Sequence, residues 1–267
     1  MKEIPFPDGV IPLEIFVGSV GKERVTEAVD GRSGVVDYGF NYTDRPVSLF
    51  LRIKAADAAD FRLLRNEVFA TFDVGSAFYV AEADVPSRVL KVVVDESYIP
   101  DRLTEEYADF DINCRTLDSV FWESIYTTLE LHDSGYSATA EKYGLVDNID
   151  DEKVKYRFTS NNFTVYNAGN VTVEPESMYL RIIATYVESS GNFTIRNNTT
   201  GDEFVMKRAS NGSHVRLIGM VISMGSITNI FRDTNRRFIS LSPGDNNFEI
   251  LNGTFEEIRF EFKYLYK

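Results

Sequence analysis

The chain has 267 residues, of which 41 are acidic and 28 are basic, so its formal net charge is −13. This length suffices for one large domain or two of ordinary size that fold without disulfides or metal ions. The single cysteine, Cys114, excludes an intrachain disulfide. No charged-then-apolar leader opens the chain and no run approaches the roughly 18 apolar residues of a membrane span, so we expect a protein of a reducing compartment with no membrane insertion.

The charge is distributed unevenly along the chain. Residues 1–150 carry 28 acidic and 14 basic residues, a balance of −14, whereas residues 151–267 carry 13 and 14, a balance of +1. A change of this size predicts a domain boundary nearby. It also disfavours nucleic-acid binding by the first half, because such binding is driven by cations that displace counterions from phosphate. The acidic half is expected either to aid solubility or to repel DNA that passes close to it.

The first half is predicted to form strands around one helix. Candidate strands are Pro12–Val17, Gly34–Tyr42 and Val47–Ile53. Asp57 then has the position of an N-cap, and Gly75 follows the last apolar residue. A helix over about residues 58–72 places four apolar side chains on one stripe at spacings of three and four: Phe61, Leu64, Val68 and Phe72. We expect this stripe to be core rather than a ligand groove.

Beyond the helix the pattern returns to strands. A hairpin is predicted with its turn at Pro86-Ser87, and Tyr107–Thr116 is a further strand, whereas Leu117–Leu131 is compatible with a strand or a packed corner. The stretch from Ser134 to Asp151 is rich in Gly, Ser, Ala and Asp, which is typical of a linker. The predicted organisation is therefore a first domain over 1–133, a linker over 134–152 and a second domain over 153–267.

From Phe158 onward, short apolar and aromatic runs alternate with Asn-Gly, Pro-Gly and Asn-Asn breaks at roughly 8–12-residue spacing, which predicts a β-sandwich. The predicted fold class is mainly β with one or two helices. His132 and His214 are the only histidines and are not spaced as a ligand pair, and no Gly-x-Ser-x-Gly elbow or phosphate loop is present. Adjacent acids such as Glu256-Glu257 are typical of a solvated face. We therefore expect no enzyme, no metal and no cofactor.

A carbohydrate-binding β-sandwich module on an acidic adaptor domain is the alternative. Sandwiches of this size present aromatic rings to sugars, and five such side chains are available: Trp122, Tyr166, Tyr179, Tyr186 and Phe193. Aromatic residues at alternating strand positions are, however, more often part of a core.

The order of several short motifs resembles the distal tail proteins of long-tailed, non-contractile phages of Gram-positive bacteria, over nearly the whole length. The motifs of the first half are Gly31–Gly34, Arg45–Leu49, Phe61–Asn66, Phe78–Val80 and Arg88–Val92. Those of the second half are Val165–Gly169, Phe193–Gly201 and Leu241–Phe248. Their residues point to sandwich corners, because Asn-Ala-Gly tolerates positive φ and Pro-Gly suits a turn. The turn residues matched in this way are Gly31, Gly34, Asn167, Gly169, Pro243 and Gly244.

The resemblance implies a non-enzymatic hub at the tail tip of the virion, assembled in the host cytoplasm. Its first domain would be sandwich-like and form a six-fold ring, and its second would be a galectin-like or jelly-roll sandwich. The implied partners are further copies of the chain, the tail tube protein, a tail-associated lysin or fibre and receptor-binding or baseplate proteins, with no sequence-specific nucleic acid. Acids that could line the DNA channel are Asp95, Glu96, Asp101, Glu105 and Glu106. Because 151–267 is barely long enough for one sandwich, no inserted glycan-binding module is expected.

Overall fold

The computed structural model describes residues 5–73, 75–94, 96–143 and 149–267. Over these residues the chain is mainly β, with two α-helices and several antiparallel sheets, which confirms the predicted fold class. The chain divides into two compact units. One contains Met1–Glu82 and Val89–Phe121, and the other contains Ala83–Arg88 and Trp122–Lys267.

The first unit is an antiparallel sheet with one helix and a separate hairpin. The sheet order is β1-β4-β8-β6, with β5 beside β6 and β7 beside β8, while β2 and β3 form a separate two-stranded sheet. The elements are β1 (Val10–Val17), β2 (Lys22–Ala28), β3 (Val35–Tyr42), β4 (Pro46–Lys54), α1 (Ala58–Phe72), β5 (Phe78–Glu82), β6 (Val85–Val94), β7 (Asp101–Arg102) and β8 (Tyr107–Thr116).

Helix α1 begins at a side-chain cap. The Asp57 carboxylate accepts hydrogen bonds of 2.8 Å from the backbone N–H groups of Asp60 and Ala59, and these bonds lower the pKa of Asp57. The buried side chains of this helix are the four of the apolar stripe, Phe61, Leu64, Val68 and Phe72.

Aromatic rings join α1 to the sheet. The ring of Phe72 lies 6.1 Å from that of Phe78 and 6.5 Å from that of Tyr98, and Tyr98 stacks on Phe110 of β8 at 5.9 Å. Burial raises the pKa of Tyr98 to about 12. The core of the first unit therefore lies between α1 and the sheet face that carries Phe110.

The second unit is a two-sheet sandwich. One sheet has the order β10-β18-β12-β15-β16 and the other β11-β17-β13-β14, and β9 pairs with β19. The elements are β9 (Trp122–Ser124), α2 (Thr128–Tyr143), β10 (Arg157–Phe158), β11 (Asn162–Asn167), β12 (Leu180–Ser189), β13 (Phe193–Asn197), β14 (Asp202–Met206), β15 (Ser210–Ile218), β16 (Val221–Met224), β17 (Gly244–Leu251), β18 (Glu257–Phe262) and β19 (Leu265–Tyr266).

Phenylalanine rings fill the space between the two sheets. Phe260 of the five-stranded sheet lies 4.8 Å from Phe248 and 5.8 Å from Phe163, both of which belong to the four-stranded sheet. Alternate residues of β18, namely Ile258, Phe260 and Phe262, are fully buried. The period-2 pattern of these strands thus places one face of each sheet in a common core.

The β5–β6 turn and the segment that follows β8 differ from what the sequence predicted. The turn of the β5–β6 hairpin lies at Ala83-Asp84, so its prediction at Pro86-Ser87 is wrong; a proline is tolerated near the start of a strand. Leu117–Leu131 contains both β9 and the start of α2. Helix α2 has a break at Gly135 (φ +74°), and part of the predicted linker, residues 144–148, lies outside the described residues.

Candidate interaction surface

The β2–β3 hairpin is the most exposed part of the first unit. Both strands are described in full, and none of their residues is buried. Val35 is 59% exposed and Tyr38 is 60% exposed, and the hairpin also exposes Val25, Phe40 and Tyr42. A two-stranded hairpin alone is marginally stable in water. A surface of this kind typically marks an interaction site.

Side-chain contacts hold the hairpin in shape. The Lys22 ammonium lies 5.0 Å from the centre of the Phe40 ring, and the Tyr42 ring meets Phe121 edge-on at 5.0 Å. The Tyr38 hydroxyl donates a 2.8 Å hydrogen bond to Glu27, which raises the pKa of Tyr38. These contacts fix the base and the middle of the hairpin while leaving its apolar side chains exposed.

The turn of this hairpin contains Gly31 and Gly34. Their φ angles are +80° and +89°, and a Cβ at either position would meet nothing within 4 Å. Glycine is therefore required by the left-handed backbone and not by a close neighbour. The sequence interpretation identified this turn and β3 but missed β2. The available signal was the turn itself, because a tight turn that leads into a strand commonly follows another strand.

Strand β1 forms the free edge of the first-unit sheet. It exposes Ile11, Leu13 and Phe16, and Glu14 is its one charged residue. Pro12 and a register shift between Pro12 and Glu14 interrupt the hydrogen-bonding pattern along this edge, which reduces unwanted strand pairing. The edge nevertheless adds a second apolar surface to that of the hairpin.

The candidate channel acids are exposed but do not form one cluster. The Glu96 carboxylate accepts a 3.4 Å hydrogen bond from Asn113 of β8. Asp101 lies opposite Asp109, which is four residues from Asn113, or about 13 Å along the strand. Glu105 and Glu106 lie in the turn before β8. Asp95 lies outside the described residues.

In the second unit, the predicted turn residues hold a corner of the sandwich. Asn167 donates hydrogen bonds of 3.1 Å to the carbonyls of Val171 and Leu241 and accepts one of 3.0 Å from Gly169 N–H. A Cβ on Gly169 would lie 2.5 Å from the Leu265 carbonyl oxygen. Neither Asn167 nor Gly169 has positive φ, so that explanation of the motif is wrong: the asparagine is needed as a hydrogen-bonding group and the glycine for space.

The second turn motif has a different basis. Gly244, which follows Pro243, has φ of +87° and open space around it. Next to it, Asn246 is fully buried and donates 2.8 Å to the Ser242 carbonyl, and it accepts 3.1 Å from the Asn197 amide. This buried asparagine network was not predicted, because asparagines in a sequence more often indicate exposed turns.

The described part of the chain offers no group of three or more His, Cys, Asp and Glu side chains that could hold a metal ion. Among the same residues, no helix is both long and apolar enough to cross a membrane. The features that suggest a function are the exposed apolar residues of the β2–β3 hairpin and of the β1 edge.

A family model and a solved structure match this chain. Residues 8–114 match the family model of the phage tail protein RIFT-related domain. The SPP1 Dit protein, described as a paradigm of the hub adsorption apparatus in phages that infect Gram-positive bacteria, matches 97% of this chain and 95% of its own. The TM-score is 0.65 and the identity 13%. The predicted resemblance to distal tail proteins is thereby confirmed at the level of the fold.

Two structures of the phage p2 baseplate in its activated conformation, with Sr and with Ca, also match. Their identities are 10% and 9%, they cover 96% and 94% of this chain and 90% of their own, and their TM-scores are 0.38 and 0.36. These scores are too low to establish a shared fold. None of the curated proteins matches the chain.

Proposed function

We propose that this chain is a structural, non-enzymatic virion protein: a distal tail hub that closes into a ring, six-fold in symmetry, through its first unit. The exposed apolar β2–β3 hairpin carries this proposal, together with the tail-protein domain of residues 8–114. The predicted division gives residues 1–133 to the ring-forming domain, 134–152 to the linker and 153–267 to the outward sandwich; β9 and α2, which precede residue 153, belong to the second unit. The shared fold with SPP1 Dit supports the assignment.

Ring closure gives the hairpin a partner. Exposed Val35 and Tyr38 on a marginally stable hairpin are better accommodated when a neighbouring copy covers them, because apolar area removed from water stabilises the assembly. A head-to-tail interface of this type generates a closed ring when the rotation between neighbours divides a full turn. The hairpin and the β1 edge are thus the surfaces that we assign to self-association.

The ring would connect the tail tube protein to a tail-associated lysin or fibre and to receptor-binding or baseplate proteins. DNA would pass through its opening, which is consistent with the balance of −14 over residues 1–150. The protein would reside at the tail tip of the virion after assembly in the host cytoplasm.

Sedimentation velocity on the purified full-length chain tests this function. We expect a hexamer for the wild-type protein and a monomer for V35S/Y38S. The far-UV circular dichroism spectrum should be unchanged, because neither side chain is buried and the hairpin keeps its Lys22–Phe40 and Tyr42–Phe121 contacts. Tyr79→Ser is the matched control, since Tyr79 is 43% exposed on β5 of the same unit. A wild-type chain that stays monomeric with its tail partners present and binds cell-wall polysaccharide would instead support the carbohydrate-binding alternative.

A further inference from the structure

The five-stranded sheet of the second unit has an outer face occupied by four arginines, Arg157, Arg181, Arg216 and Arg259, which we call the arginine face. Residues directly opposite each other in antiparallel strands point to the same side of a sheet. The row across the sheet pairs Arg157 with Arg259, Arg259 with Ile183, Ile183 with Arg216, and Arg216 with Ser223. It therefore crosses all five strands, from β10 to β16.

The residues that the structure describes neutralise only part of this positive charge. Arg157 lies 3.2 Å from Asp133 and 3.3 Å from Glu257, and Arg181 lies 3.0 Å from Glu261. Within the described part of the chain, Arg216 and Arg259 have no carboxylate at ion-pair distance, and Arg216 donates only to the Gly225 carbonyl, at 3.2 Å.

The arrangement is unfavourable in the isolated chain. Arg157 and Arg259 stand directly opposite each other, and like charges at such positions destabilise a sheet. The Nε atoms of Arg181 and Arg259 are buried and have no hydrogen-bond partner among the described residues. A buried donor without a partner carries a desolvation cost. An external group that accepts hydrogen bonds and carries negative charge would offset both costs.

Two tyrosines border the arginine face and favour a protein as the occupant. Tyr179 is exposed, and Tyr186 is 56% exposed and lies at a bulge of β12 with φ of +48°, its ring 4.9 Å from that of His214. Arginine and tyrosine are enriched at protein interfaces and among the residues that dominate their binding energy. Ile218, which lies opposite Arg181, and Val221, which lies opposite Ile218, are both exposed.

The carboxylates on this face also favour a protein as the occupant. Glu257 and Glu261 flank Arg259 on β18 and pair with Arg157 and Arg181, so positive and negative groups alternate across this face and do not match the uniform charge of an anionic polymer. A protein surface can instead place carboxylates at Arg216 and Arg259 and avoid negative charge at the two glutamates, since complementary interfaces are matched charge by charge.

We propose that the arginine face is a protein-docking surface whose partner presents carboxylates to Arg216 and Arg259 and aromatic or aliphatic groups to Tyr186 and Val221. The guanidinium group suits this contact because its fixed donors match the geometry of a carboxylate. The inference rests on the proposed hub function and names the surface by which the sandwich holds another tail protein.

The test is the composition of virions that carry R216E/R259E in the full-length chain. Quantitative mass spectrometry of purified particles should find this protein at its wild-type ratio to the tube protein, while one other tail-tip protein falls by about tenfold or more, because attraction at two positions becomes repulsion. R232E/R236E is the control, since both arginines are exposed on the same unit outside the arginine face, and we expect wild-type composition.

Each other outcome has a distinct meaning. Wild-type composition with wild-type adsorption in R216E/R259E particles would overturn the docking surface. Wild-type composition with lost adsorption to host cell walls would assign the arginine face to an anionic cell-wall polymer and equally overturn protein docking. Absence of this protein from wild-type virions would overturn the hub function itself. Circular dichroism of the purified variant checks that a loss does not come from misfolding.

Discussion

At the residue scale, polar side chains determine the corners of the second unit. Asn167 and Asn246 are buried, and the side chain of each makes several hydrogen bonds to backbone groups. The sequence could indicate that these positions lie near turns. It could not indicate burial or partners, because those depend on segments such as the one around Leu241 that are distant along the chain.

Substitution at Gly169 tests the close approach of the backbone at one of these corners. In Gly169→Ala the new Cβ would meet the Leu265 carbonyl oxygen at 2.5 Å and its nitrogen at 2.8 Å, so the backbone must shift. We expect a loss of about 1–3 kcal/mol in the free energy of unfolding, as for other overpacked sites. Denaturant unfolding would measure it, and a variant as stable as the wild type would show that the two segments are not in contact.

Asp202 gives the second unit a pH dependence. Burial alone would raise its pKa, but hydrogen bonds from Ser240 and Thr200 outweigh burial and lower it. The folded-state pKa of Asp202 lies below its unfolded value of about 3.9, so the ionised carboxylate stabilises the folded protein. This stabilisation is complete above the unfolded pKa and is lost as the pH falls through the folded-state pKa.

The expected result is a steeper fall of the wild-type melting temperature below about pH 4 than is seen for Asp202→Asn, whose amide cannot ionise. Melting curves of both proteins between neutral pH and pH 3 would measure the difference. Parallel curves for the two proteins would mean that the Asp202 carboxylate is not stabilised in the folded state.

At the element scale, local signals predicted some elements well and others poorly. Helix α1 has a capping aspartate and a stripe of apolar residues, and strand β8 has a regular alternation, so both could be located from nearby residues alone. Strand β2 could not, because Lys22–Ala28 is predominantly polar and all its residues are exposed. The hairpin that carries the proposed ring interface was therefore the element that the hydrophobic pattern described least.

The α1 stripe gives a direct stability prediction. Leu64 is buried, so Leu64→Ala should lower the free energy of unfolding by about 2–4 kcal/mol through lost contacts and a cavity. The adjacent Leu63 is 62% exposed, and Leu63→Ala should stay within about 0.5 kcal/mol of the wild type. Denaturant unfolding of the two variants measures the contrast. Equal effects would place the stripe at an interface instead of in the core.

At the scale of the whole molecule, the division of charge allows a test of the proposed passage of DNA. If the acids line the channel, then the variant E96Q/D101N/E105Q/E106Q should fold and assemble normally but release the genome more slowly, since fewer carboxylates repel the phosphate backbone. Release kinetics from purified virions measures the effect. E174Q/E176Q is the control, because both glutamates are exposed on the second unit. Equal kinetics in all three proteins would leave solubility as the role of the charge.

Electron cryomicroscopy of the purified full-length protein tests the hub assignment most directly. We predict closed particles with six-fold symmetry, in which the first units form the wall, the β2–β3 hairpin of each copy contacts its neighbour, and the second units lie outside. Monomers at all concentrations, or particles joined only through their second units, would contradict it.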